Sequence, residues 1–432
     1  MDKNRIHLFR RRRETDKRYR RYVRCLTVIL LSVVMLCAGC TGKDAVGSSA
    51  GGSGEQTAAA DSRQNEAGSS TEAAPKTETA ATASRSWNNM SPVSSMDLLY
   101  ADQFSVDYYE NDISLITIGD TDQFLLLPEG MSAPVGLPDS IKILQKPVKN
   151  IYLVATSAMD DFIHLDAMDL IALSGTKDTG WYLPEARTAM EEGKIAYAGK
   201  YSAPDYEKIL SSDCGLAVES TMIYHTPEVK EQLERLGIPV LVERSSYEGH
   251  PLGRMEWIRL YGVLTGKEAE AEQIFRENMD ALSDVLDMEP SGKTVAFFYV
   301  TNSGSVNVRK NGDYIAKMIA LAGGTYIPGN AGSDENALST MNMDFESFYA
   351  AAKDADVLIY NSTIDGELTA IDELCAKNQL FADFKAVKEG NVWCTGKNMF
   401  QETMGLGDMI RDMNAVFADD TEYSFTYLHQ LK

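Results

Sequence analysis

The sequence predicts an α/β protein of two lobes, each a mostly parallel sheet with helices on both faces, joined by one long crossing α-helix. Three observations predict it. Short β-type runs alternate with helical patterns through residues 151–242, the rhythm of a parallel sheet with helical crossovers. The same rhythm returns after residue 290. Between the two stretches, residues 252–285 are helical in pattern, with Leu252, Met255, Ile258 and Tyr261 on one face and Trp257, Leu260 and Leu264 on another. A helix apolar on more than one side is buried by two bodies.

The chain has 432 residues, 44% apolar and 24% charged, which fits two or three packed domains. Its net charge of −22 argues against binding to nucleic acid, which needs a basic surface. The first 39 residues reverse that balance, with 11 Lys/Arg against three Asp/Glu. Their basic stretch up to Arg24 precedes an apolar run over 26–36, shorter than the ~20 residues a spanning helix needs. This reads as a signal peptide over 1–39. Cys37-Ala38-Gly39-Cys40 follows and resembles the lipobox of bacterial lipoproteins, although Cys37 stands where Leu is commonest. Cleavage before Cys40 would leave that thiol to be lipidated and anchor the body outside the cytoplasm.

Residues 40–86 are mostly Gly, Ser, Ala, Thr, Glu and Gln, a composition that cannot bury enough apolar surface to order itself. As a flexible coil they would reach roughly 35–40 Å. The first lobe is assigned to 87–250. Its β-type runs at 104–109, 113–118 and 124–127, around a Gly119-Asp120 turn, predict hairpins at the edge of a sheet. Strands are then predicted at 151–155, 195–198, 215–219 and 239–242, with helices at 162–170, 204–210 and 228–236. The crossing helix and the helix after it take 251–287. The second lobe, 288–432, has predicted strands at 294–300, 357–360 and 392–394 and helices at 314–321, 345–352 and 404–417.

Of six cysteines, Cys214, Cys375 and Cys394 remain in the body; an odd number is no disulfide framework, and only Cys375 and Cys394 are considered as a pair. The chain contains no Gly-x-Ser-x-Gly elbow, Walker loop, His-Glu-x-x-His or dinucleotide fingerprint. Asp160-Asp161 and Asp419-Asp420 are read as solvated acids. A secreted hydrolase and a surface sensor or adhesin are the rival classes.

The strand Ile238-Pro239-Val240-Leu241-Val242 leads into Trp257-Ile258-Arg259-Leu260-Tyr261-Gly262-Val263-Leu264-Thr265-Gly266-Lys267-Glu268-Ala269-Glu270-Ala271. With the lipobox, the tether and the two lobes, this resembles the substrate-binding proteins of ABC importers for iron chelates and vitamin B12, over roughly residues 140–420. The resemblance implies two Rossmann-like lobes, a ligand cleft between their strand ends, and no cofactor or catalysis. It implies an iron(III) chelate of siderophore type as cargo, with haem or a corrinoid as the alternative. Its partners would be an ABC permease dimer with a separate ATPase, the receptor itself being monomeric. The family presents one glutamate per lobe to permease arginines, and the matching positions are Glu207 and Glu346.

In a cleft for an anionic chelate or a flat ring, cations and aromatics supply charge pairing and stacking. The candidates that directly follow predicted strands are Lys200, Tyr201, Arg244, Tyr247, Arg309 and Lys397, with Trp181 as a further wall. A bare-metal site is disfavoured, because His164, His225 and His250 all fall in the first lobe.

Overall fold

The computed structural model describes residues 86–329 and 340–432; the predicted signal peptide, Cys40 and the tether up to residue 85 lie outside the described residues. Residues 94–146 form a sheet of their own. Strands Ser94–Ser95, Phe104–Tyr109, Ile113–Ile118 and Asp122–Pro128 run as an antiparallel meander, and Ile141–Lys146 joins its last strand in parallel. The predicted hairpins are therefore not the edge of the first lobe's sheet. The reason lies in their two apolar faces. Val106, Ile116, Phe124 and Leu126 enter the main core, while Ile113, Leu115, Leu125 and Leu127 form a second cluster covered by Trp87, Met90 and Met131.

The first lobe has five parallel strands in the order Val240–Glu243, Leu216–Ser220, Ile151–Leu153, Ile171–Ser174 and Ala196–Tyr197. The first of these in sequence lies at the centre, so the chain winds outwards one way and then the other. The switch point between Ile151–Leu153 and Leu216–Ser220 opens a crevice at the strands' carboxyl ends. The second lobe repeats the device. Thr294–Val300, Val357–Tyr360 and Val392–Thr395 run parallel, Thr325–Ile327 pairs beside the first, and antiparallel Leu428–Gln430 closes the far edge. Val306–Arg309 and Thr340–Met343 extend the other edge as antiparallel strands absent from the sequence reading.

The connection is not one long helix. It divides into Pro251–Met255, Ile258–Thr265, Glu268–Ala281 and Ser283–Leu286. Gly266, at φ +76°, takes the left-handed conformation that ends the second helix. The chain then folds back, so that a Cβ on Gly262 would stand 2.5 Å from the Ala271 side chain. That contact is what makes glycine necessary there. Burial of the first half by two bodies does hold: Leu252, Met255, Trp257, Ile258 and Leu260 share one core with Val218 and Leu241 of the first lobe and Val295, Ile315 and Val416 of the second.

The junction of the early sheet with this connection is built on buried carboxylates. Glu256, fully buried, accepts the backbone N–H groups of Leu99, Tyr100 and Ala101 at 2.7–2.8 Å. Glu248 accepts those of Asp102 and Gln103 and the Trp257 indole N–H.

Candidate substrate cleft

All five strands of the first lobe end on one edge, and the segments leaving that edge meet segments leaving the second lobe. The Thr403 hydroxyl donates to the Ser157 carbonyl at 2.9 Å, and the Met404 N–H donates to the Asp160 carboxylate at 2.7 Å. Gln401 completes the contact, accepting from the Tyr182 N–H at 2.7 Å and donating to the Gly180 carbonyl at 2.8 Å. The carboxyl-end edge of the first lobe's sheet is thus covered at this corner by segment 401–404.

The predicted cleft residues divide into three groups. Arg244 and Tyr247 come together at the end of strand Val240–Glu243, with the guanidinium 4.9 Å from the ring centroid. Arg244 also donates to the Tyr224 hydroxyl at 3.3 Å, and to Gln103 of the meander. Lys397 follows strand Val392–Thr395 of the second lobe, its ammonium 5.9 Å from the centroid of Tyr182 in the first. Arg309 is partly buried between Phe297 and Phe400, and Asp313 at 3.6 Å neutralises it.

The third group departs from the sequence reading. Trp181 is fully buried, its indole N–H on the Ser174 hydroxyl, so it belongs to the core; the exposed ring of that loop is the next residue, Tyr182. Lys200 sits in a short hairpin, Gly199–Lys200 with Ala203–Pro204, and Tyr201 at its turn packs on the lobe's outer cluster. Sequence reasoning missed Met222, Tyr224 and Ile364, exposed large side chains that directly follow strand ends. An apolar residue in a post-strand turn carries no periodicity that marks it.

Asp160 and Asp161 are buried, not solvated. They occupy the first turn of helix Ala158–His164 under the interlobe contact. Burial pushes Asp160 up to about 6, against the pull of His164 at 3.5 Å and the Met404 N–H. Burial, with Asp160 and Glu243 nearby, holds Asp161 well above the usual carboxylate range. Asp419 and Asp420 are exposed, as read.

Glu219, at the end of strand Leu216–Ser220, is fully buried and neither carboxylate oxygen has a hydrogen-bond partner. Desolvation raises it to about 8 from an ordinary 4.5. The folded chain keeps a proton there that the unfolded chain releases above about 4.5, so this group's stabilising share is full below 4.5 and is lost as pH rises to about 8. Urea unfolding at intervals between pH 5 and 8.5 is expected to show falling stability, with a shallower slope in Glu219→Gln. An unchanged slope in that variant would exclude Glu219 as its source.

Glu207 and Glu346 are exposed in the first turns of helices Tyr206–Ser211 and Phe345–Ala352. Each helix is capped by the aspartate before it, Asp205 to the Lys208 N–H at 3.1 Å and Asp344 to the Ser347 N–H at 2.8 Å. Cys214, Cys375 and Cys394 are free thiols, and the described residues contain no cluster of three His, Cys, Asp or Glu that could hold a metal ion.

Two α/β lobes, each built on a set of parallel strands and in contact through segments that leave their strand ends, define a two-lobed α/β binding protein. The sequence agrees with that class: residues 154–399 match the family described as periplasmic binding protein, and the chain belongs to it. Members of that family bind a substrate and are not enzymes, and that is the class of this chain. An uncharacterised lipoprotein of Methanocaldococcus jannaschii is 26% identical over 334 residues, covering 70% of this chain and 77% of its own. A periplasmic haem-binding protein of Pseudomonas aeruginosa has the same fold, with a TM-score of 0.50 at 16% identity over 66% of this chain and 98% of that one. One from Vibrio cholerae gives 0.50 at 15% identity over 61% and 97%.

Proposed function

We propose that the protein is the extracytoplasmic receptor of an ABC importer, that it is tethered to the membrane through a lipid on Cys40, and that it captures an iron(III) chelate of siderophore type between its lobes. The observation that carries the cargo class is the cation held on an aromatic face at the cleft, Arg244 over Tyr247, with Lys397 near Tyr182 on the other side. A trianionic ferric chelate needs fixed positive charge and flat walls. The tether reading draws support from the lipobox residues and from the lipoprotein named among the relatives. Among the described residues no helix is long and apolar enough to cross a membrane.

A second reading, haem or a corrinoid, is favoured by the exposed Met222, Tyr224, Tyr182 and Ile364 beyond the strand ends. Such side chains suit the apolar face of a macrocycle. Titration of the purified protein with ferric catecholate, ferric hydroxamate, haem and cobalamin separates the two, read by tryptophan fluorescence and melting temperature. A ligand at 100 times its Kd is expected to add about 2.7 kcal/mol to stability. Saturation by the ferric chelates supports the first reading and saturation by a macrocycle the second. Silence towards all four would reject both.

A further inference from the structure

We propose that the N-terminal meander is part of the receptor's selectivity, with Gln103 as the positioning residue that aims Arg244 at an anionic group of the cargo. The inference rests on the receptor reading above and names a determinant outside the matched residues 154–399.

Arg244 is anchored without being neutralised. Its Nε and one terminal nitrogen both donate to Gln103 Oε1, at 3.2 and 3.0 Å, and the other terminal nitrogen reaches the Tyr224 hydroxyl at 3.3 Å. The ring of Tyr247 backs the guanidinium. No described carboxylate lies within ion-pair distance of it, in contrast to Arg309, which Asp313 neutralises. A guanidinium held only by neutral acceptors keeps its full charge for a ligand.

Gln103 is itself fixed from several sides. Its Nε2 donates to Asp102 Oδ1 at 2.7 Å, which turns the amide oxygen towards Arg244. Its backbone N–H donates to the buried Glu248 at 3.1 Å, and its carbonyl accepts the Gly119 N–H at 2.7 Å. Gly119 closes the turn over the arginine. At φ +60° it sits where a side chain would be strained, and a Cβ there would lie 3.5 Å from the guanidinium carbon. Asp102, Gln103 and Arg244 thus form a directed relay from carboxylate through amide to guanidinium, and two of its three members come from the meander.

The ligand chemistry is an anionic substituent on the chelate, a carboxylate or a catecholate oxygen, bound by the guanidinium edge. The test uses two pairs of probes that differ in charge: triply anionic ferric tris-catecholate against neutral ferric tris-hydroxamate, and haem against its dimethyl ester. In Gln103→Glu the new carboxylate pairs with Arg244, and affinity for the anionic member of the binding pair is expected to fall about tenfold or more. The neutral member should bind as before. Arg244→Gln should produce the same selective loss, and the double variant should lose little more than either single one. Equal loss for both members, or none, overturns the inference while leaving the receptor intact. A wild-type chain that binds none of the four but does bind cobalamin also overturns the inference; one that binds none of the four and no cobalamin removes the receptor reading, and this inference with it.

Discussion

Replacing Glu256 by alanine is expected to destabilise the protein by about 3–5 kcal/mol, the range for breaking a buried charged network by removing one partner. Glu256 is fully buried. One of its oxygens accepts the Leu99 N–H at 2.7 Å and the Arg259 guanidinium at 2.9 Å; the other accepts Tyr100 and Ala101 at 2.7 and 2.8 Å. A single side chain therefore takes the backbone of one loop of the meander, more than 150 residues distant in sequence, and fixes it to the connection between the lobes. Alanine removes the acceptor from all three N–H groups and one of two carboxylates from Arg259, which also reaches Glu272 at 2.8 Å. Glu256→Gln keeps one oxygen but turns an amide nitrogen towards donors, so an intermediate loss is expected. Urea unfolding measures the cost, and amide exchange at 99–101 locates it. Glu256→Ala within 0.5 kcal/mol of the wild type, roughly the scatter of surface substitutions, would show that the carboxylate does not hold the sheet.

The parallel core of the fold is legible because each central strand is an unbroken apolar run bounded by polar or glycine residues. The runs at 294–300 and 357–360 coincide with strands Thr294–Val300 and Val357–Tyr360, and the patterns at 314–321 and 345–352 with helices Tyr314–Leu321 and Phe345–Ala352. Val306–Arg309 and Thr340–Met343 were not picked out, since each alternates apolar and polar residues over only four positions, at the short end of what marks a strand. Leu428–Gln430 is too short to show one. The connection misled for a different reason. Helical periodicity is blind to a fold-back at Gly266 when helices on both sides present apolar stripes.

At the site, charge in a sequence reads as exposure by default. That rule placed Asp160 and Asp161 in solvent, and it passed over Glu248 and Glu256, yet all four are buried. What buries them is tertiary: backbone N–H groups from distant segments, such as Met404 on Asp160, supply the hydrogen bonds that offset desolvation. Arg244 and Tyr247 were read as cleft residues from position alone, after a parallel strand, and the structure brings the two together there. Gln103 was not. It lies 141 residues before Arg244, in the loop that leads into strand Phe104–Tyr109, part of the stretch read as hairpins at a sheet edge.

Glu207→Ala combined with Glu346→Ala is expected to abolish uptake of the cargo while leaving its Kd unchanged. The two glutamates stand on different lobes, each in a helix first turn held by an aspartate cap, with the side chain exposed. An exposed carboxylate at a fixed position suits docking to a permease arginine, where a charge-assisted pair orients the partner as well as attracting it. Truncating one partner of a docked, desolvated pair costs about 2–5 kcal/mol, so either single variant should slow uptake by tenfold or more. The competing account is local: an acid in the first turn favours the helix dipole by only about 0.3–1 kcal/mol. The two accounts diverge in what they move. A dipole role lowers the melting temperature slightly and spares uptake, whereas a docking role spares both folding and ligand affinity and removes transport. Charge reversal sharpens the difference, because Glu207→Arg would add repulsion at the membrane partner, and wild-type uptake by that variant would rule out docking through this helix.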